Sequence, residues 1–450
     1  MNALGSMAAA LPLRALRGAA RLAPEWFEKA LFAFAEMASR SIPYPQGRVF
    51  VGQMLRFTRR LLPTGCPPCR RKVLDNLVLG SIAGKRRRTA YQRQTGFQPP
   101  YFLVISPTMR CNLRCTGCCA GRYAKGDEMP IDLLDRILTE AEAMGIRFIT
   151  ISGGEPFARP DLLDLAAAHG RMYFQVYTNG TLIDDAVADR LARLGNVFPA
   201  ISVEGFEAET DRRRGPGVFR EVLAAMARLR ERGVFFGFSA TATRRNNDRV
   251  VSDEFVDFYR AQGCAVGWYF NYIPVGKEPD LDLMPTPQQR LHRRRRLRDL
   301  RGRLPMLLMD FWNDGALVGG CMAAGTYYVH INVHGDVEPC VFAQFAVDNI
   351  RQKSLREVLD SPFFRAVRAR QPHSPNHLRP CMITDHPEVL REVVRAHGAR
   401  PTYAGGEALL DKAAAGLDAY AARWGALADA EWAAEGSAEL EDAEQRPKAR

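Results

Sequence analysis

Between residues 101 and 273 six short runs rich in β-branched and aromatic residues alternate with five runs of helical spacing, and few folds accept that order. The strand-like runs are 101–106, 147–152, 173–178, 198–203, 234–241 and 266–273. The helix-like runs are 130–144, 160–169, 184–194, 218–232 and 253–262, with Pro130 and Pro160 where a first-turn proline is tolerated. Strands separated by helices pair in parallel, because each crossover carries the chain back to the same end of the sheet. The expected class is therefore α/β, a partial (βα)6 barrel over residues 99–276. In such folds the chemistry sits at the carboxyl ends of the strands.

The flanks read differently. Residues 1–98 form a basic, helical N-terminal region, with helix-like runs at Glu25–Ser39, Met54–Leu62 and Val73–Ile82. They hold 17 Lys and Arg against 4 Asp and Glu, while the remaining 352 residues hold 45 against 46. The whole positive excess thus lies in one fifth of the chain, which suggests a surface that meets phosphates or an acidic partner. Residues 277–312 read as a linker and a basic helix whose run Arg293–Arg296 is expected on a solvated face. Residues 313–385 form a small α+β unit with three cysteines. Residues 386–450 read as a helical tail whose acidic end, with seven acids in the last 22 residues, is expected to be disordered. No run of about 18 uninterrupted apolar residues occurs, which excludes a membrane-spanning helix. The first residues carry arginines inside their short apolar stretch, unlike a secretory signal, so a cytoplasmic location is expected.

In an intracellular chain clustered cysteines point to metal or redox chemistry rather than to a disulfide framework. The loop after the first strand reads Cys111-Asn-Leu-Arg-Cys115-Thr-Gly-Cys118-Cys119. Three thiolates at this C-x3-C-x2-C spacing suit three irons of a [4Fe–4S] cubane and leave the fourth iron open, whereas a closed zinc site wants four ligands.

This arrangement resembles the radical S-adenosylmethionine (SAM) superfamily over about 101–276. Ser152-Gly153-Gly154-Glu155-Pro156 resembles its GGEP motif, whose strand edge meets the methionine amino group. Thr178 and Asn179 end the third strand, and Ser202 and Glu204 end the fourth, where relatives contact ribose and methionine. Arg214, in DRRRGPGVF, matches an arginine that meets the SAM carboxylate, a pairing that suits a planar guanidinium. Tyr272 to Gly276 end the sixth strand near the expected adenine. One departure is Gly117, where relatives usually have an aromatic residue before the third cysteine. The resemblance implies a [4Fe–4S] cluster on Cys111, Cys115 and Cys118, with SAM on the open iron. It also implies a low-potential electron donor of flavodoxin or ferredoxin type, and a 5′-deoxyadenosyl radical that abstracts hydrogen from a substrate. No side-chain acid or base is assigned. Cys119 is read as a buried thiol.

Cys321, a strand-like segment, the turn signal Gly335-Asp336 and Pro339-Cys340 resemble the SPASM/twitch extension of the same superfamily. Cys381 is the third ligand this implies, for one auxiliary [4Fe–4S] cluster. His334 and His377 are the residues to test as its fourth ligand, among His330, His334, His373, His377 and His386. Cys66-Pro-Pro-Cys69 is a lone C-x2-C with a metal-binding, redox or incidental reading, and Cys264 is read as core.

Three kinds of partner are weighed for the substrate. The leading one is a lipid-like or small molecule at an anionic membrane surface, for which Trp26, Phe27, Phe32, Phe34 and Phe57 among basic residues would form an interfacial layer. The plainer account of that layer is a helical cap over the barrel. The alternative is a SPASM-type maturase of a ribosomal peptide. Nucleic acid is not favoured, since no RNA-binding motif accompanies the basic region. From another class, a non-catalytic iron–sulfur carrier would need the clusters but not the SAM-binding strand ends.

Overall fold

The structure, a computed structural model, describes residues 45–444. Seven parallel strands follow one another across a single sheet: β1 (Phe102–Ile105), β2 (Phe148–Ile151), β3 (Tyr173–Thr178), β4 (Val197–Val203), β5 (Gly237–Ala242), β6 (Val266–Asn271) and β7 (Leu307–Asp310). Two short strands, β8 (His330–Ile331) and β9 (Val337–Glu338), extend the β1 edge; β8 runs parallel to β1, and β9 antiparallel to β8. The six expected strands are all present within a few residues. The seventh, β7, lies in the stretch read as linker, and it has only four residues.

Side chains alternate across each strand. Leu103 and Ile105, Ile149 and Ile151, Phe174 and Val176, Ile201 and Val203, and Phe238 and Ala240 turn to the helices and build the main core. Phe102 and Val104, Phe148 and Thr150, Gln175 and Tyr177, Ser239 and Thr241, and Trp268 and Phe270 turn to the other face and line a cavity. Phe311, just past β7, reaches Tyr328, just before β8, with ring centroids 6.0 Å apart. The two flanks of the seven-stranded run therefore meet, and the sheet curls into a partial barrel.

The amino ends of the strands are plugged. Phe50, Phe57, Leu61 and Leu62 pack with Val73 against Tyr173, Phe198, Phe235, Val266 and Leu307. Phe57 is thus held by the barrel floor, as the cap account requires, rather than presented to a bilayer. The other aromatics of the supposed interfacial layer, Trp26, Phe27, Phe32 and Phe34, and the helix-like run Glu25–Ser39 lie outside the described residues. No helix among the described residues is long and apolar enough to cross a membrane.

Two expectations are overturned on the helix Pro287–Arg303. Only half of its arginine run is a solvated face: Arg295 is exposed and Arg296 partly so, but Arg293 is fully buried and Arg294 nearly so, as is Arg290 one turn earlier. Arg293 donates to Asp310 at 2.8 Å and Arg290 donates to Asp385 at 2.5 Å, so each buried charge has its counter-charge. The guanidinium of Arg290 also lies 4.1 Å from the Trp424 ring centroid. The acidic end is not disordered up to Glu444. The helix Ala414–Glu444 runs through it, and Glu431 and Glu435 pair with Arg295 at 2.6 Å and with Arg294 at 2.6 Å. Acids that looked like an unpaired tail are the partners of the basic helix.

Candidate iron–sulfur active site

The loop from β1 carries Cys111, Cys115 and Cys118 to the carboxyl end of the sheet, where all three thiols line one cavity of about 480 Å³. The loop is anchored by its neighbour, the segment after β2. Gly154 N–H donates to Thr108 O at 2.8 Å and Glu155 N–H donates to Arg110 O at 2.7 Å. A Cβ on Gly153 would stand 2.4 Å from Thr108 O, and one on Gly154 would stand 2.4 Å from Arg110 O. Only glycine lets the two backbones approach this closely. The glycines of the GGEP motif thus set the cysteine loop in place, in addition to lining the cavity.

Glu155 is fully buried and faces its own protein rather than the cavity. Its carboxylate accepts from Thr178 Oγ1 at 2.7 Å, Phe157 N–H at 3.0 Å and Asn179 N–H at 2.7 Å. Burial pushes its carboxyl above the ordinary range, against the pull of these donors. Glu155 therefore fixes the end of β3, which brings Thr178 and Asn179 to the cavity wall, while the buried Pro156 opens the short turn beyond it. Ser202 and Arg214 reach the same wall, and Glu204 stands behind them. Both Arg213 and Arg214 donate to Glu204 Oε1, Arg214 Nη2 at 2.5 Å. The other oxygen, Oε2, is buried and has no hydrogen-bond partner among the described residues. Burial works against the Arg214 charge, but Glu204 outweighs it and holds the guanidinium above its usual range. Of the residues expected to bind SAM, Gly153, Gly154, Thr178, Asn179, Ser202 and Arg214 meet at the cavity; Glu155, Pro156 and Glu204 support it from behind.

The donor set fits a cluster. Burial pushes the Cys111 and Cys118 thiols above their ordinary value, and the neighbouring thiols add to this. Such thiols stay protonated until cations draw off their protons. Among the described residues no three Cys, His, Asp or Glu side chains close on one point as ligands of a single ion would. A cubane has no such need, because each thiolate holds a different iron. Arg213 and Arg214 each ease the charge on Cys118. Cys119 also lines the cavity, and burial pushes its thiol up to about 12.

The second set also comes together. The thiols of Cys340 and Cys381 both raise that of Cys321, after burial, which is the main cause. Tyr328 OH lies 3.4 Å from Cys340 Sγ. Met322 and Val341, each next to one of these cysteines, line the barrel cavity, so the second unit forms part of the first unit's wall. The hairpin forms at the expected turn, where Gly335 N–H donates to Asn332 O at 2.9 Å. Neither suggested fourth ligand turns to the second set. His334 Nε2 stands 3.4 Å from Asp127 Oδ2 and its ring packs beside Tyr123, while His377 packs on Trp432.

Sequence reasoning missed the interior lining. Besides Arg214, four cationic side chains reach the cavity, Arg114, Lys125, Arg213 and Lys277, and among the described residues no carboxylate does. Its depth is aromatic, with Phe148, Tyr177, Trp268, Phe270 and Phe311. The signal was the period-2 placement of aromatic and small polar residues within strands that look uniformly apolar.

Comparison with known proteins agrees with this geometry. The family model for the radical SAM superfamily matches residues 105–251, and that for the SPASM iron–sulfur cluster-binding domain matches residues 321–382. The mycofactocin maturase MftC of Mycobacterium tuberculosis is 34% identical over 274 residues, which cover 57% of this chain and 68% of that one. The AdoMet-dependent heme synthase of Methanosarcina barkeri is 25% identical over 300 residues, 60% of this chain and 85% of that one. Among solved structures, Streptococcus suis SuiB bound to its precursor peptide SuiA has the same fold, with a TM-score of 0.54 and 20% identity over 64% of this chain and 71% of that one.

Proposed function

Since the chain belongs to the radical SAM superfamily, as an iron–sulfur enzyme with a SPASM domain, we propose that it modifies a peptide, as a maturase. The observation that carries this reading is the likeness to the mycofactocin maturase, at 34% identity over two thirds of that protein's length. It replaces the lipid-like substrate at a membrane as the leading account. Phe57, the one described aromatic offered for that layer, packs partly buried against the barrel floor.

In this reading Cys111, Cys115 and Cys118 hold the cluster, and Gly153, Gly154, Thr178, Asn179, Ser202 and Arg214 hold SAM. Cys321, Cys340 and Cys381 hold the auxiliary cluster. Bound there, the reduced cluster and SAM supply one-electron chemistry that ends in hydrogen abstraction from the substrate. The chain's own residues bind and orient. Glu155 fixes the strand end that carries Thr178 and Asn179. Glu204 aims Arg213 and Arg214 into the cavity. The aromatic depth receives an apolar side chain and keeps water from the reacting carbon, while the cationic rim meets anionic groups.

Protein reconstituted without oxygen tests the reading, with dithionite, SAM and a short peptide encoded beside its gene. The expected result is 5′-deoxyadenosine whose formation rises when the peptide is added, together with a changed peptide mass. A rise with lipid or tetrapyrrole extracts and none with peptide would overturn the peptide reading while leaving the family chemistry in place.

A further inference from the structure

A pair of thiols at the opposite end of the barrel takes no part in this chemistry. Cys66 precedes the helix Pro67–Lys72, and Cys69 sits in its first turn, which closes as Arg70 N–H donates to Cys66 O at 3.0 Å. Residues so related stand about 5–6 Å apart between α-carbons, within the span of a disulfide. Pro67 and Pro68 lie between them and fix φ, so little backbone freedom remains to be lost on closure.

The turn is pressed onto the barrel floor. Cys66 N–H donates to Gly233 O at 2.8 Å. A Cβ on Gly195 would stand 2.5 Å from the Pro68 carbonyl carbon and 2.8 Å from Cys69 N. The Cys66 thiol donates to Ala192 O at 3.6 Å, and it lies close enough to Cys69 to help raise that thiol. Cys66 is partly exposed and Cys69 only 1%. One sulfur can therefore be reached from solvent, and the other can be reached only through it. Among the described residues no third His, Cys, Asp or Glu joins them in a metal site, and zinc would want four ligands.

We propose that Cys66 and Cys69 form a redox-active dithiol that closes to a disulfide by exchange with a low-molecular-weight disulfide. The Cys66 thiolate, its proton given to solvent, attacks one sulfur of the small disulfide. Their S–S bond forms, the small disulfide breaks, and one small thiolate leaves and takes up a proton. Cys69 then attacks the Cys66 sulfur of the mixed disulfide, its proton passing to the second small thiol as it leaves. The dithiol loses two electrons and two protons, and the small disulfide gains them. Burial holds the Cys69 thiol well above its ordinary value, in keeping with a sulfur that acts second.

Differential alkylation of the cluster-loaded full chain tests this without oxygen, in buffers of set oxidised-to-reduced glutathione ratio. Trypsin releases Leu61–Arg70 with both cysteines in one peptide. The expected product is that peptide lighter by two hydrogens and closed to alkylation, restored by dithiothreitol, with unchanged cluster absorption. Half-closure is expected at a ratio about tenfold lower than in the same chain unfolded by urea, because the fold holds the sulfurs together. Cys69→Ser should stop at one glutathione on Cys66, and Cys66→Ser should take none. Half-closure at the same or a higher ratio than in the unfolded chain would overturn the proposal. So would a natural chain that stops at the mixed disulfide.

Discussion

The ring of Tyr272 occupies the space that a side chain on residue 117 would need: a Cβ on Gly117 would stand 2.8 Å from Tyr272 Cε2. Tyr272 follows β6 and is almost fully buried, and its hydroxyl accepts from Asp280 N–H at 3.2 Å. The aromatic residue missing from the cysteine loop is thus matched by one arriving from the other side of the site. Gly117→Ala should cost about 1–3 kcal/mol through overpacking and its positive φ of 65°. Thermal unfolding and retained iron would register the loss. In a Tyr272→Ala background, whose own cavity cost is measured separately, Gly117→Ala should cost less, since only the φ strain remains; an equal cost in both backgrounds would contradict the overpacking account.

Arg293 and Asp310 tie the basic helix to β7 in the protein interior. Truncating one partner leaves the other charged and buried. Asp310→Ala or Arg293→Ala should lower stability by about 3–5 kcal/mol. The double variant with apolar replacements of similar volume, Arg293→Met with Asp310→Leu, should cost less than the sum of the two single changes. Denaturant midpoints of the four proteins would decide it, and strictly additive losses would show that the pair is uncoupled.

Much of this architecture is legible in the residues. The strand runs and the C-x3-C-x2-C loop carry local, periodic signals, and the structure places them within a few residues of expectation. The arginine run misled because charge alone does not say which acids face it; Asp310, Asp385 and Glu435 lie 17 to 141 residues away in the chain. β7 escaped notice because four apolar residues after Pro305 have no period to read. The role of Glu155 was also hidden. A carboxylate in a binding motif suggests contact with the cofactor, yet this one accepts from the backbone N–H groups of Phe157 and Asn179 and from the Thr178 hydroxyl.

Acid should loosen the packing of the C-terminal helix. The hydrogen bond from Arg295 holds the Glu431 carboxyl below the ordinary carboxylate range. The unfolded chain therefore binds its proton at higher pH than the folded chain does. The stabilisation is complete above the unfolded value of about 4.3 and is lost as pH falls through the lower folded value. Tm measured from pH 6 to pH 3 should fall across that window. Glu431→Gln, which carries no titrating proton, should fall less steeply. An equal slope in both proteins would show that the pair does not report on folding.

Iron content separates the two cysteine sets. Each cubane holds four irons, so the reconstituted chain should bind about 8 iron atoms, and the triple variant Cys111→Ala, Cys115→Ala, Cys118→Ala about 4. A second triple variant at Cys321, Cys340 and Cys381 should also retain about 4, but with a different consequence. It keeps the SAM-binding strand ends and should still yield 5′-deoxyadenosine under dithionite, whereas the first should yield none. Cys321 and Cys340 pack, partly buried, beside Val104 and Tyr328, and Cys381 is buried, so their loss also opens space in a packed wall. Circular dichroism of both variants distinguishes a missing cluster from a collapsed domain. Full iron retention in the first variant, with native secondary structure, would remove the loop after β1 as a cluster site.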